Sequence, residues 1–177
     1  MRARGGRNSQ DSCKPNRLAV SASLVMLLLA SSLAYAAPPS SSRPFRVIDR
    51  NGALVGHVVT ENLVAREISG TWVTFYVHAG FGIYDSNAIY LHYTTTDCRG
   101  AAYIPHSSMF AEGTRVGSRL YYPADQQVLT PQSHKLVYGS GEEGPCYAAA
   151  GIADVYGTAA SANVDSFGLA LPFRAVQ

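Results

Sequence analysis

From residue 45 onward, apolar and polar positions alternate along most of the chain. In "TWVTFYVH", residues 71–78, Val73, Phe75 and Val77 interleave with Trp72, Thr74, Tyr76 and His78. A period of two marks a strand with two distinct faces. Because both faces carry apolar side chains, this strand is expected at the centre of a sandwich or covered on its second side. The run "LVAREI" ahead of it reaches Ser69-Gly70, a turn pair, so the two runs predict a hairpin. Upstream, Phe45, Val47, Leu54 and Val58 flank Asn51-Gly52. Asn-Gly is the strongest short hairpin signal, since both central positions of a type I′ turn take positive φ. Gly56 in the return arm marks a bulge.

Downstream, Ile89, Leu91 and Tyr93 alternate with Tyr90, His92 and Thr94, and the threonines carry this strand to a turn at Arg99-Gly100. "TRVGSRLYYPAD" predicts a strand that stops at Pro123. "QQVLTPQSHKLVY" predicts one whose first half is confined to an edge by Pro131, and the tail "DSFGLALPFRAVQ" a last strand broken at Pro172. No long apolar stripe of helical period occurs. The best helical stretch, "CYAAAGIADVYGTAASANV", is rich in alanine but cut by glycines, so at most one short helix is expected there. Residues 45–177 therefore predict an all-β, single-domain antiparallel sandwich, barrel or meander.

The start of the chain changes the charge picture. Arg2, Arg4, Arg7, Lys14 and Arg17 precede an apolar run from Leu18 that closes on Ala34-Tyr35-Ala36. That order is a secretory signal over residues 1–36, with 37–44, "APPSSSRP", as a flexible polar lead-in. After cleavage nine basic side chains face eleven acidic ones, a net of −2, so the basic pI belongs to the leader. Without a clustered basic face no nucleic-acid partner is expected, and no membrane span remains. The expected location is periplasmic or secreted.

Export also bears on the cysteines. Cys98 and Cys146 are the pair left once the leader is gone, and in an oxidising compartment an even pair reads as a disulfide. A nucleophilic Cys98 would need an ordered base, and His92, six residues earlier on the same predicted strand, would lie roughly 20 Å away. A metal reading lacks both C-x-x-C and H-x-x-x-H spacing.

For the rest of the chemistry, His78 and His92 share faces with Tyr76 and Tyr90. Their strands are expected to pair around "AGFGIYDSNA", bringing the two imidazoles within cross-strand distance. With no third histidine or carboxylate at matching spacing, two sheet histidines are the simpler reading, with neither metal nor cofactor. Trp72, Tyr76, His78, Tyr90 and His92 form the candidate ligand face, weighed against plain sheet packing of the aromatics. Glu142-Glu143 reads as solvated loop charge, and no G-x-S-x-G, P-loop or dinucleotide motif is present.

The leading expectation is a non-catalytic binding or structural module with a protein or glycan partner. One alternative is a small exported hydrolase using His78, His92, Asp97 and Glu142. The other is a subunit of a trimeric or fibre-associated assembly, with the strand from Trp72 to Val77 at the interface.

Three segments together, "FRVIDRNGALVGHVV", "YTTTDCRGAAYI" and "GLALPFRAVQ", with "RLYYPAD" between, carry a resemblance. The chain resembles uncharacterised exported bacterial proteins with an NG hairpin, a Y-x-T-x-x-D-C-x-G segment and a second downstream cysteine. That resemblance implies a bacterial source, export and a Cys98–Cys146 bridge, and it brings no activity, cofactor or site residue.

Overall fold

The computed structural model describes residues 44–177. The expected leader at 1–36, and the lead-in up to residue 43, lie outside the described residues. The chain is all-β, as its alternation predicts. In the first sheet β1 (Arg46–Ile48), β2 (Leu54–Val58), β3 (Leu63–Ile68), β4 (Thr71–His78) and β5 (Gly82–Ile83) are successive antiparallel neighbours. The last strand, β15 (Arg174–Val176), returns to pair with β1. The second sheet runs β13 (Tyr147–Ala148), β12 (Ser133–Tyr138), β6 (Ala88–Tyr93), β7 (Tyr103–Pro105), β14 (Asp154–Asn163), β10 (Arg119–Pro123) and β9 (Thr114–Val116). Two short strands lie off these paths: β8 (Ala111–Glu112) joins β4 in parallel, and β11 (Gln127–Leu129) pairs with β14.

Local chemistry explains where the sequence expectation holds. Ser69 and Gly70 both take positive φ, 51° and 83°, and Ile68 sits directly opposite Thr71. That is a two-residue hairpin turn of the primed kind. At Asn51-Gly52 the expected type I′ turn does not form, because only Gly52 has positive φ. The Asp49 carboxylate builds a wider loop instead. Its Oδ1 accepts the N–H groups of Asn51 and Ala53 (2.8 and 2.7 Å), and its Oδ2 accepts that of Ala170 (2.8 Å). Self-bonding of this sort is what aspartate offers a loop in place of a tight turn. The bulge near Gly56 is present: Val47 opposes Gly56 while Ile48 opposes Leu54, which leaves Val55 as the extra residue.

One expectation is corrected. The threonines do not prolong β6, which ends at Tyr93; Thr95 Oγ1 instead donates to the Arg99 carbonyl and accepts its N–H, closing a loop. The alanine-rich stretch, where at most one short helix was expected, forms the strand β14, followed by a single 3₁₀ turn at Val164–Phe167. Packing overrides propensity here. A Cβ on Gly157 would land on the Asp125 carbonyl and on Pro123, so the neighbouring chain presses directly on this strand's backbone.

β10 and β14 form a wall between two cores. From β10, Leu120 and Tyr122 join Val55, Val64, Val73 and Phe75 of the first sheet, with Ala160 and Ala162 of β14 packed against them. On the reverse side Tyr121 and Ala159 meet Ile89, Leu91, Ile104 and Val137. The second sheet curls around this second cluster into a half-barrel, and Val116 of β9 packs there too. The curl is closed where the Ser86 N–H, just ahead of β6, donates to the Arg115 carbonyl of β9 (2.9 Å) and Gly117, with φ of 60°, fits tightly against Gly139.

Cys98 and Cys146 are joined as a disulfide, tying the loop after β6 to the start of β13. The Cys98 N–H donates to Ser133 Oγ (3.1 Å), and that hydroxyl donates to the Thr95 carbonyl (2.6 Å), so the bridge is anchored to β12 as well. Such a bond is consistent with an oxidising location. Among the described residues no helix is long and apolar enough to cross a membrane.

Candidate functional site

The five residues expected to form one ligand face are divided between the two sheets. After β4 the chain folds back as β5 along β4's own edge, then crosses to the second sheet before β6 begins, so β4 and β6 are not neighbours. Trp72, Tyr76 and His78 stand on the outward face of β4, all exposed, with the His57 ring 5.9 Å from Trp72. Between them Thr74 is buried against β8, its hydroxyl donating to the Ala111 carbonyl (3.3 Å). Tyr90 and His92 belong to β6, and the expected His78–His92 approach is not made.

His92 has a different histidine as its partner. In the β6–β12 register His92 lies directly opposite His134, and the ring centroids are 5.8 Å apart. The same row continues in both directions. Tyr147 of β13 is opposite His134, and Tyr103 of β7 is opposite His92. Four aromatic or imidazole side chains therefore cross four strands at one level, each about one inter-strand step of 4.8 Å from the next. The Tyr147 ring stacks on His134 (5.8 Å, 29° between planes), Tyr90 meets His134 edge-on (5.4 Å, 73°), and Tyr156 of β14 closes on His92 (5.2 Å).

Burial varies along this row. Tyr147 and Tyr90 are half exposed, while Tyr156 is buried. The Nδ1 atom of His92 is buried and has no hydrogen-bond partner among the described residues. Burial, and secondarily the facing His134, pushes the His92 pKa below its ordinary value, so the neutral ring is favoured. Beside the row, where β6 and β7 diverge, a cleft of about 340 Å³ is lined by Tyr90, His92, Ile104, Pro105, Glu112 and Thr114.

The alternative hydrolytic set is not assembled. His78 lines a hollow on the first sheet and His92 the cleft on the second. Asp97 sits in the loop after β6, accepting the Arg99 N–H (3.3 Å) and pairing with its guanidinium (3.6 Å). Glu142 lies in the turn after β12, its neighbour Glu143 paired with Lys135. His106 is buried yet fully used: its Nδ1–H donates to the Asp125 carbonyl (2.9 Å), which leaves Nε2 to accept from Gln126 (3.3 Å). Among the described residues no three histidine, cysteine, aspartate or glutamate side chains are grouped to hold a metal ion.

Sequence reasoning missed Tyr103, His134 and Tyr147 as members of the row, and Tyr156 beside it. The row is centred on the His92–His134 pair, whose strands lie some 40 residues apart, and a register of that span is not encoded in local periodicity. No protein-family model, curated protein or solved structure matches the chain.

Proposed function

We propose that the protein is an exported, non-catalytic binding module whose aromatic sheet faces contact a protein or glycan partner. One observation carries this reading: the row Tyr147–His134–His92–Tyr103 lies across four strands, with Tyr147 at one end open to solvent and Tyr103 at the other half-buried. Rigid rings held at fixed spacing on paired strands lose little side-chain freedom when they meet a partner, which is why aromatic side chains dominate recognition surfaces. The disulfide, the predicted leader and the acidic mature composition all suit an exported scaffold.

The test is a retention assay. Purified protein is immobilised and presented with cell-envelope polysaccharides and envelope proteins, and the same is done with a His134→Ala/Tyr147→Ala double variant. Retention of a defined partner, reduced about tenfold or more in the variant, is the expected result, since clustered aromatic contacts are each worth roughly 1 kcal/mol or more. Hydrolytic turnover of any of these polymers that disappears on a single-residue substitution would replace this reading with an enzymatic one.

A further inference from the structure

The outer face of the first sheet carries a hollow of about 300 Å³, lined by Asn62, Tyr76, Val77, His78 and Tyr84. Strand pairing builds it. Val77 faces Ile83 in the β4–β5 register, so Tyr76 and Tyr84 form the next cross-strand pair, joined by the Tyr84 N–H donating to the Tyr76 carbonyl (2.9 Å). The two residues remain 60% and 66% exposed. From the opposite edge of β4, the Val77 N–H donates to the Asn62 carbonyl (2.8 Å) and places Asn62 beside Tyr76.

The histidine is held in one orientation. The Gly80 N–H donates to His78 Nδ1 (3.2 Å), and the ring lies on Phe81 with centroids 4.7 Å apart. Because Nδ1 accepts, the proton of the neutral ring sits on Nε2, which becomes an oriented donor. The hollow therefore offers two phenol faces, two phenol hydroxyls, one imidazole N–H and one amide.

Among the described residues no lysine, arginine, aspartate or glutamate lines it. A charged ligand would lose hydration there without gaining a counter-charge. A ligand with one apolar face and a rim of hydroxyls fits both the rings and the polar groups. The volume is at the small end of the range of about 300–1,000 Å³ for ligand sites, enough for a single ring and not for a long buried chain. We infer that this hollow binds one neutral pyranose unit, stacked on the Tyr76–Tyr84 pair and hydrogen-bonded by His78 Nε2 and Asn62. The inference rests on reading the protein as a binding module and narrows the partner at this face to an uncharged glycan.

The test is a titration of the ¹⁵N-labelled protein with the methyl glycosides of glucose, galactose and N-acetylglucosamine, followed by amide shifts. The expected result is a set of shifts confined to Asn62 and the segment from Tyr76 to Tyr84. Dissociation constants should fall on the order of millimolar, as about a dozen ligand atoms allow. Tyr84→Ala should weaken binding about tenfold while Tyr84→Phe, which keeps the ring, stays within about threefold of wild type. Tyr84 is exposed, so both variants should keep a dispersed spectrum that reports an intact fold. Sugar-induced shifts that map elsewhere, or sugar affinity unchanged in Tyr84→Ala, would overturn the site. A partner retained in the assay above while none of the three glycosides binds would also overturn it, and would leave the binding-module reading standing.

Discussion

At the scale of single residues, His92 has the most exposed consequence in solution. Its folded-state pKa lies below the ordinary value because burial, and then the His134 ring opposite, disfavour the charged form. The unfolded chain takes up that proton near pH 6.5. The neutral ring therefore contributes stability that is fully present above about pH 6.5 and is lost as the pH falls through the lower folded value. A histidine-resolved NMR titration should give His92 a midpoint below that of a free imidazole, and His134→Gln should move it back upward by removing the second cause. A midpoint unaffected by His134→Gln would show that the facing ring contributes nothing.

The same scale shows what composition conceals. Asp49 resembles an ordinary loop aspartate in the sequence, yet it is fully buried and its two oxygens join the first loop to the last segment of the chain. The bond from Ala170 is the largest influence holding its carboxyl below the usual range, followed among the lowering ones by those from Ala53 and Asn51. A partner more than a hundred residues away leaves no local mark. The Ser69-Gly70 turn, by contrast, was legible because everything it needs lies within four residues.

Among the elements, alternation identified most strands but not their neighbours. β4 and β6 were readable as strands with mixed faces; their separation into different sheets follows from β5 folding back on β4, and two residues of strand carry little periodicity. β14 was not read as a strand, because a run of small side chains carries little apolar–polar alternation. Small side chains at Ala159, Ala160 and Ala162 suit a strand pressed by cores on both faces, where bulk would separate the layers. A prediction about closure belongs here. Gly117 combines left-handed backbone with direct approach to Gly139 across the mouth of the half-barrel. Gly117→Ala should cost about 1–3 kcal/mol, from positive φ and steric displacement together. Denaturant unfolding would measure it, with Gly141→Ala, where φ is also positive but a Cβ meets nothing, giving the conformational part alone.

Across the whole molecule the bridge between Cys98 and Cys146 sets a separate requirement. The two cysteines are 48 residues apart in sequence. Closing a loop of that length removes unfolded-chain entropy worth about 4 kcal/mol in the chain-entropy model. Since β12 lies inside the loop and β6 just before it, Cys98→Ser/Cys146→Ser should lower the midpoint of thermal unfolding while leaving the strand content of the folded state unchanged. Circular dichroism melts of the two forms would check this, and equal midpoints would assign the bridge no role in stability.

The pairing of β15 with β1 has an effect on the order of assembly. Arg46 lies opposite Val176, and the bond from Ala170 to Asp49 spans 121 residues. A chain made from its amino end thus holds β1 with one side unpaired until Arg174–Val176 have been synthesised. Contacts of such span slow folding, and an open strand edge is a template for pairing with other chains. A nascent or shortened chain that stops before Arg174 would carry that edge indefinitely, so whether the first sheet has a closed edge or an adhesive one is decided by residues made more than a hundred positions after β1 itself.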